Sequence, residues 1–205
     1  MKKIFGLTIA ALLVIGMVSG GTWAYFSDTE SSTGNSLTAG TLDLNINGGN
    51  IAVTTFTASA VAPGDSGNGS STLANIGTMD GELDIIFSAI TNTGGTGGEF
   101  GDSSGDLGGV AEIAVYIDVD QSGTWTAGDI GLKSDATTYA FPTALDYATI
   151  DSYDSVTFDA VETMVTTAAD NFRVQWRVSS SAGNSIQGDA VSFDVTFILE
   201  QAAAD

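Results

Sequence analysis

The stretch Val191-Ser192-Phe193-Asp194-Val195-Thr196-Phe197-Ile198-Leu199-Glu200 decides the fold. Val191, Phe193, Val195, Phe197 and Leu199 fall on one side, and Ser192, Asp194, Thr196 and Glu200 on the other. Successive side chains of an extended chain point to opposite faces, so a period of two marks a half-buried strand. The same period recurs upstream. Phe172, Val174, Trp176 and Val178 alternate with Arg173, Gln175 and Arg177. Ile113, Val115 and Ile117 form another face, as do Leu83, Ile85, Phe87 and Ala89. Leu42, Leu44 and Ile46 alternate with Asp43, Asn45 and Asn47, and Asn47-Gly48-Gly49-Asn50 then offers a turn into a further strand at Ile51–Phe56. Val156–Val161 reads as one more strand. Glycine- and serine-rich stretches at Pro63–Ser71 and Thr91–Gly109 read as loops, and a short helical stripe is confined to Pro142–Tyr147. Many short strands with turn signals between them predict an all-β chain, a jelly-roll-like β-sandwich.

The first residues speak to destination. Lys2 and Lys3 precede an apolar run from Ile4 to Val18, and Thr22-Trp23-Ala24 places small residues at the −3 and −1 positions of a cleavage site. That order is the secretory pattern. Read instead as a retained anchor, the run falls short of the roughly 20 residues a bilayer span needs. The expected organisation is a signal peptide over residues 1–24 cut between Ala24 and Tyr25, an extended segment over 25–40, and a sandwich domain over 41–205.

The whole chain has 5 basic and 25 acidic residues and a net charge of −20; losing Lys2 and Lys3 with the signal takes it to −22. Nucleic-acid binding needs a basic footprint and is excluded. Cations are the natural electrostatic partners. There is no cysteine, so an exported chain of this kind is stabilised without disulfides.

The sharpest motif runs Asp118-Val119-Asp120-Gln121-Ser122-Gly123-Thr124-Trp125-Thr126-Ala127-Gly128-Asp129. Oxygen donors at positions 1, 3 and 5, glycine at 6 and an acid at 12 follow the EF-hand calcium loop, in which alternate residues of a tight turn aim hard oxygens at one ion. Asp118, Asp120, Ser122, Thr124 through its carbonyl, Thr126 and Asp129 are the candidate Ca2+ ligands. The segment before the loop is strand-like, so the expectation is a structural ion site between strands; an ordinary acidic hairpin loop fits the same residues. Asn68-Gly69-Ser70 is a glycosylation triplet placed in a loop, and Arg173 and Arg177 are expected to pair with nearby acids.

Catalytic options fail on inventory. Without histidine or cysteine there is no histidine-based triad, no histidine zinc site and no thiol nucleophile. Lys133 is the only lysine beyond the signal. The reading at this point is that the chain is not an enzyme.

Several local patterns together resemble the TasA/camelysin family of exported fibre proteins. Gly20-Gly21-Thr22-Trp23-Ala24 followed by Tyr25-Phe26-Ser27-Asp28 is similar to signals processed by the SipW type of signal peptidase. Ala39-Gly40-Thr41-Leu42-Asp43-Leu44, Ala62-Pro63-Gly64-Asp65 and Leu73-Ala74-Asn75-Ile76-Gly77-Thr78 resemble the family's first strand, its turn and the segment after it. The resemblance implies a jelly-roll subunit of an extracellular filament, a bundling pilus or biofilm matrix fibre. It implies head-to-tail assembly of identical subunits by donor-strand complementation, with Tyr25, Phe26 and Leu37 entering the neighbour. Camelysin is named as a metalloprotease, an activity not carried over to a chain without histidine. The competing expectations are a monomeric calcium-binding surface or adhesion domain and a secreted carbohydrate-active enzyme.

Overall fold

The structure, a computed structural model, describes residues 2–19, 39–49, 61–95 and 105–201. The chain divides into two units, Met1–Thr38 and Ala39–Asp205. In the first, the described element is a helix, α1 (Lys2–Ser19). Its apolar run contains no proline, and Thr8 returns its hydroxyl to the carbonyl of Ile4 at 2.7 Å. No helix among the described residues is long and apolar enough to cross a membrane. An extended donor strand was expected over 25–40; the N-terminal element that the structure describes is this helix, and Ala24, Tyr25, Phe26 and Leu37 lie outside the described residues.

Among the described residues the second unit has ten strands: β1 (Leu44–Ile46), β2 (Ser66–Asn75), β3 (Gly81–Thr93), β4 (Ala111–Asp118), β5 (Ile130–Leu132), β6 (Thr138–Ala140), β7 (Ala148–Thr149), β8 (Thr157–Met164), β9 (Ala169–Val178) and β10 (Ala190–Glu200). Seven form one antiparallel sheet in the order β1-β2-β9-β4-β5-β6, with β7 also on β4; the other three form a second sheet, β10-β3-β8. The two sheets enclose one core. Leu83, Ile85 and Phe87 of β3 are fully buried, as are Leu73, Val115, Ile117 and Phe172 from the larger sheet. Phe87 is central: its ring lies 5.1 Å from Tyr153, 6.2 Å from Phe158 and 6.3 Å from Phe172. Phe172 meets Phe197 of β10 edge-on at 4.9 Å, so β10 lies over β9. Edge-to-face rings at these separations add to plain area burial.

Two of the five crossings between the sheets fall at one corner. β2 leads into β3 there, and β8 into β9. Asn75, fully buried, laces the two together: its amide donates to the carbonyls of Met79 and Met164, both at 2.9 Å. Its backbone N–H reaches the carbonyl of Ala168 at 3.1 Å, and its own carbonyl accepts from Thr167 at 2.9 Å.

Three expectations are corrected. Ser66–Ser71, read as loop, is the first half of β2, and Asn68 sits in that strand opposite Gln175 with its side chain exposed. The strand escapes a hydrophobic reading because Gly67 faces Trp176: a β-carbon at Gly67 would lie 2.7 Å from the indole ring. Pro142–Tyr147 is turn and irregular chain, while short helical turns stand at Leu107–Val110 and Ile150–Tyr153. The partner described for β1 is β2, with Leu44 opposite Asn75; Ile51–Phe56 lies outside the described residues.

Candidate metal centre

The Asp118–Asp129 loop is held by the pairing of β4 with β5, where Ile117 stands opposite Ile130. The chain therefore leaves one strand at Asp118 and re-enters the next directly after Asp129. Asp118 and Asp129 are buried and Asp120 is exposed. One oxygen from each lies within 4.8 Å of one from each of the others. Gln121 (φ 55°) and Gly123 (φ 82°) adopt left-handed conformations that close the turn; glycine takes this region without the penalty a side chain incurs.

Backbone amides orient the carboxylates. Gly123 N–H donates to Asp118 Oδ2 at 2.9 Å and Ser122 N–H to Asp118 Oδ1 at 3.0 Å. Val119 and Thr126 donate to the two oxygens of Asp129 at 3.2 and 2.7 Å. Hydrogen bonds from the Ser122 side chain and amide, joined by Thr126, hold the Asp120 carboxyl below the usual carboxylate range. The Ser122 hydroxyl donates to the Thr124 carbonyl at 3.0 Å and lies 3.5 Å from the Thr126 hydroxyl. The loop therefore brings together all six residues named from the sequence.

Two further contacts hold the loop: the acid expected for Arg173 is Asp118, and the anchoring of Trp125 had no signal in the sequence. Arg173 of β9 places Nη1 3.3 Å from Asp118 Oδ2, with the carboxylate wholly buried and the arginine side chain 16% exposed. Trp125 ties the loop to the outer face of the larger sheet. Its indole N–H donates to the Thr143 carbonyl at 2.8 Å, and its ring lies 5.4 Å from both Tyr116 and Tyr139. Arg177 pairs with Glu112 at 2.7 Å, as expected of a local acid.

A second group, Asp84, Asp159 and Glu200, likewise brings one carboxylate oxygen from each residue within 4.8 Å of the others. It is contributed by three adjacent strands, β3, β8 and β10, and Asp84 also accepts from Ala160 N–H at 2.8 Å. Both groups are acidic clusters that could bind a metal ion. Their donors are all oxygen, a set that suits hard divalent cations over the nitrogen- and sulfur-seeking transition metals.

Comparison with curated proteins gives no match. A family model described as Camelysin metallo-endopeptidase matches residues 1–205. That description overturns the expectation that the chain is not an enzyme. The exclusion rested on missing histidine and cysteine, and an inventory of those two residue types says nothing about a metal held by carboxylates. The match spans the whole chain, and the chain belongs to the TasA/camelysin family.

Proposed function

We propose that this protein is the subunit of an extracellular filament, built from identical chains by strand addition and fastened internally by a calcium ion in the Asp118 loop. Proteins of the family are exported. The observation that carries the reading is the state of β10. It is an eleven-residue end strand whose hydrogen-bonding neighbour among the described residues is β3 alone. Val191, Phe193, Val195 and Leu199 on its inner side are only half-buried, whereas Leu83, Ile85 and Phe87 beside them are fully buried. An end strand with an incompletely covered apolar face is a template for another chain. Residues 25–37, led by Tyr25 and Phe26, are the segment of a second copy proposed to cover it. Such a contact joins different surfaces of successive subunits, so it propagates and does not close. Electron microscopy of the secreted protein tests this: filaments are expected, and isolated particles would favour a monomeric calcium-binding surface domain.

Processing is part of the proposal. Residues 1–24 are removed as a signal, and amino-terminal sequencing of the secreted protein yields Tyr25 first. A sequence beginning at Met1, or within Ile4–Val18, would mean that α1 is retained.

The family description brings a second reading, a metal-dependent peptidase. The observation in its favour is the presence of two three-carboxylate groups, since these supply what histidine supplies elsewhere. Cleavage of an unstructured protein substrate by the purified chain, lost on chelation and in Asp120→Ala, would establish it.

A further inference from the structure

Glu162 of β8 and Asp170 of β9 enter the space between the sheets from opposite sides, beneath the corner laced by Asn75. Glu162 stands opposite Leu83 in the register of β8 and β3, and Asp170 opposite Leu73 in the register of β9 and β2. Directly opposed residues share a face, and both leucines are fully buried, so both acids point between the sheets. Asp170 is 6% exposed, and Glu162 Oε1 is buried without a hydrogen-bond partner. No cation among the described residues balances the pair. Arg173 and Arg177 are tied to Asp118 and Glu112, and Lys133 lies over the Tyr139 ring. Other acids approach the corner: Asp80 accepts from Thr166 N–H in the β8–β9 turn, and Asp118 acts on Asp170.

We propose that Glu162 and Asp170 form a pH-operated clasp between the two sheets. With Glu162 protonated, its hydroxyl donates to the Asp170 carboxylate and the corner is shut. With both ionised, two like charges confront each other in a poorly solvated space and the Val165–Ala168 turn loosens. Burial, with the charge of Asp170 added, pushes the Glu162 carboxyl up to about 7. Below its ordinary value of 4.5 the group is protonated in the folded and unfolded chain alike and nothing is lost. Between there and about 7 the unfolded chain releases a proton that the folded chain keeps, so stability falls; above about 7 the loss is complete.

The experiment is thermal unfolding of the secreted protein at pH 5 and pH 8, with Glu162→Gln and, as a charge control, the exposed Asp194→Asn. Glu162→Gln is expected to raise Tm at pH 8 by roughly 5–10 °C and to leave it unchanged at pH 5, while Asp194→Asn moves neither value comparably. Equal shifts at both pH values, no shift, or a shift matched by Asp194→Asn would overturn the clasp. Should Glu162→Gln fail to fold, amide exchange of the parent protein decides. Protection at Thr167 should fall at least tenfold more than at Val115 between pH 5 and 8, and equal loss overturns the proposal. A rise in Tm at pH 8 on adding magnesium to Asp120→Ala, abolished by also changing Glu162→Gln, overturns it in favour of a cation seated between the acids.

Discussion

Asp118→Ala is expected to melt about 10 °C below the parent protein and to stop responding to calcium or to its removal. Two separate losses make the effect large. Asp118 is wholly buried against Arg173, and removing one partner of a buried pair leaves the other charge uncompensated, at a cost of about 3–5 kcal/mol. Because Arg173 retains some exposure, the low end applies, and about 3 kcal/mol in a domain of this size moves Tm by roughly 6–12 °C. The second loss is the ion. Binding to the folded state alone stabilises by about 2.7 kcal/mol when calcium stands at a hundred times its Kd. The two are separated by Asp120→Ala, whose side chain is exposed and makes no ion pair among the described contacts. That variant should keep the chelated protein's Tm while losing the calcium response. Trp125 gives an optical readout, because its ring is clamped to the outer face between Tyr116 and Tyr139. Its emission should shift on chelation in the parent and stay constant in Asp118→Ala. A parent whose melting curve and emission ignore chelator would reduce the site to an acidic hairpin loop.

Deleting Tyr25–Leu37 is expected to abolish filaments and leave a folded monomer. The deleted segment contributes two large aromatics at a free terminus, and burying each stabilises by about 1.5–3 kcal/mol. Strand pairing along β10 adds backbone hydrogen bonds on top of this. Changing Tyr25 and Phe26 to Ser should weaken assembly in the same direction without shortening the strand. Since the contact is apolar, filaments should survive high salt, and salt should speed their growth by screening subunits that each carry a net −22. Normal polymerisation of the deletion variant, followed by sedimentation or microscopy, would transfer the contact to another edge or face.

The strands that could be read from the sequence are those with one apolar face. β3, β9 and β10 alternate because one side meets the core and the other is more open to water, whereas β4 is apolar enough to read although both its faces are covered. β2 hides because Trp176 fills the space in front of Gly67, so the glycine that makes the segment look like a linker is a packing requirement. β5, β6 and β7 are three residues or fewer, too short for any period to register. The same contrast governs the sites. The Asp118 loop was legible because its donors lie within twelve consecutive residues and obey a turn geometry. Asp84, Asp159 and Glu200, and likewise Glu162 and Asp170, are assembled by register between strands far apart in the chain, and no local spacing announces them. The enzyme question was closed too early for a chemical reason: an absence of histidine limits which donors can hold a metal, not whether one is held.

The position of β9 has a consequence in time. It is the strand inserted between β2 and β4 in the larger sheet, and β10 flanks β3 in the smaller one. Thr72 must find Asn171, and Leu83 must find Leu199, so the larger sheet waits for the last fifth of the chain and the smaller for the last tenth. Non-local pairing of this kind is slow to form. A polypeptide threaded amino-terminus first through a translocation pore therefore remains extended, and threadable, for nearly its whole passage, and folds only once it has arrived.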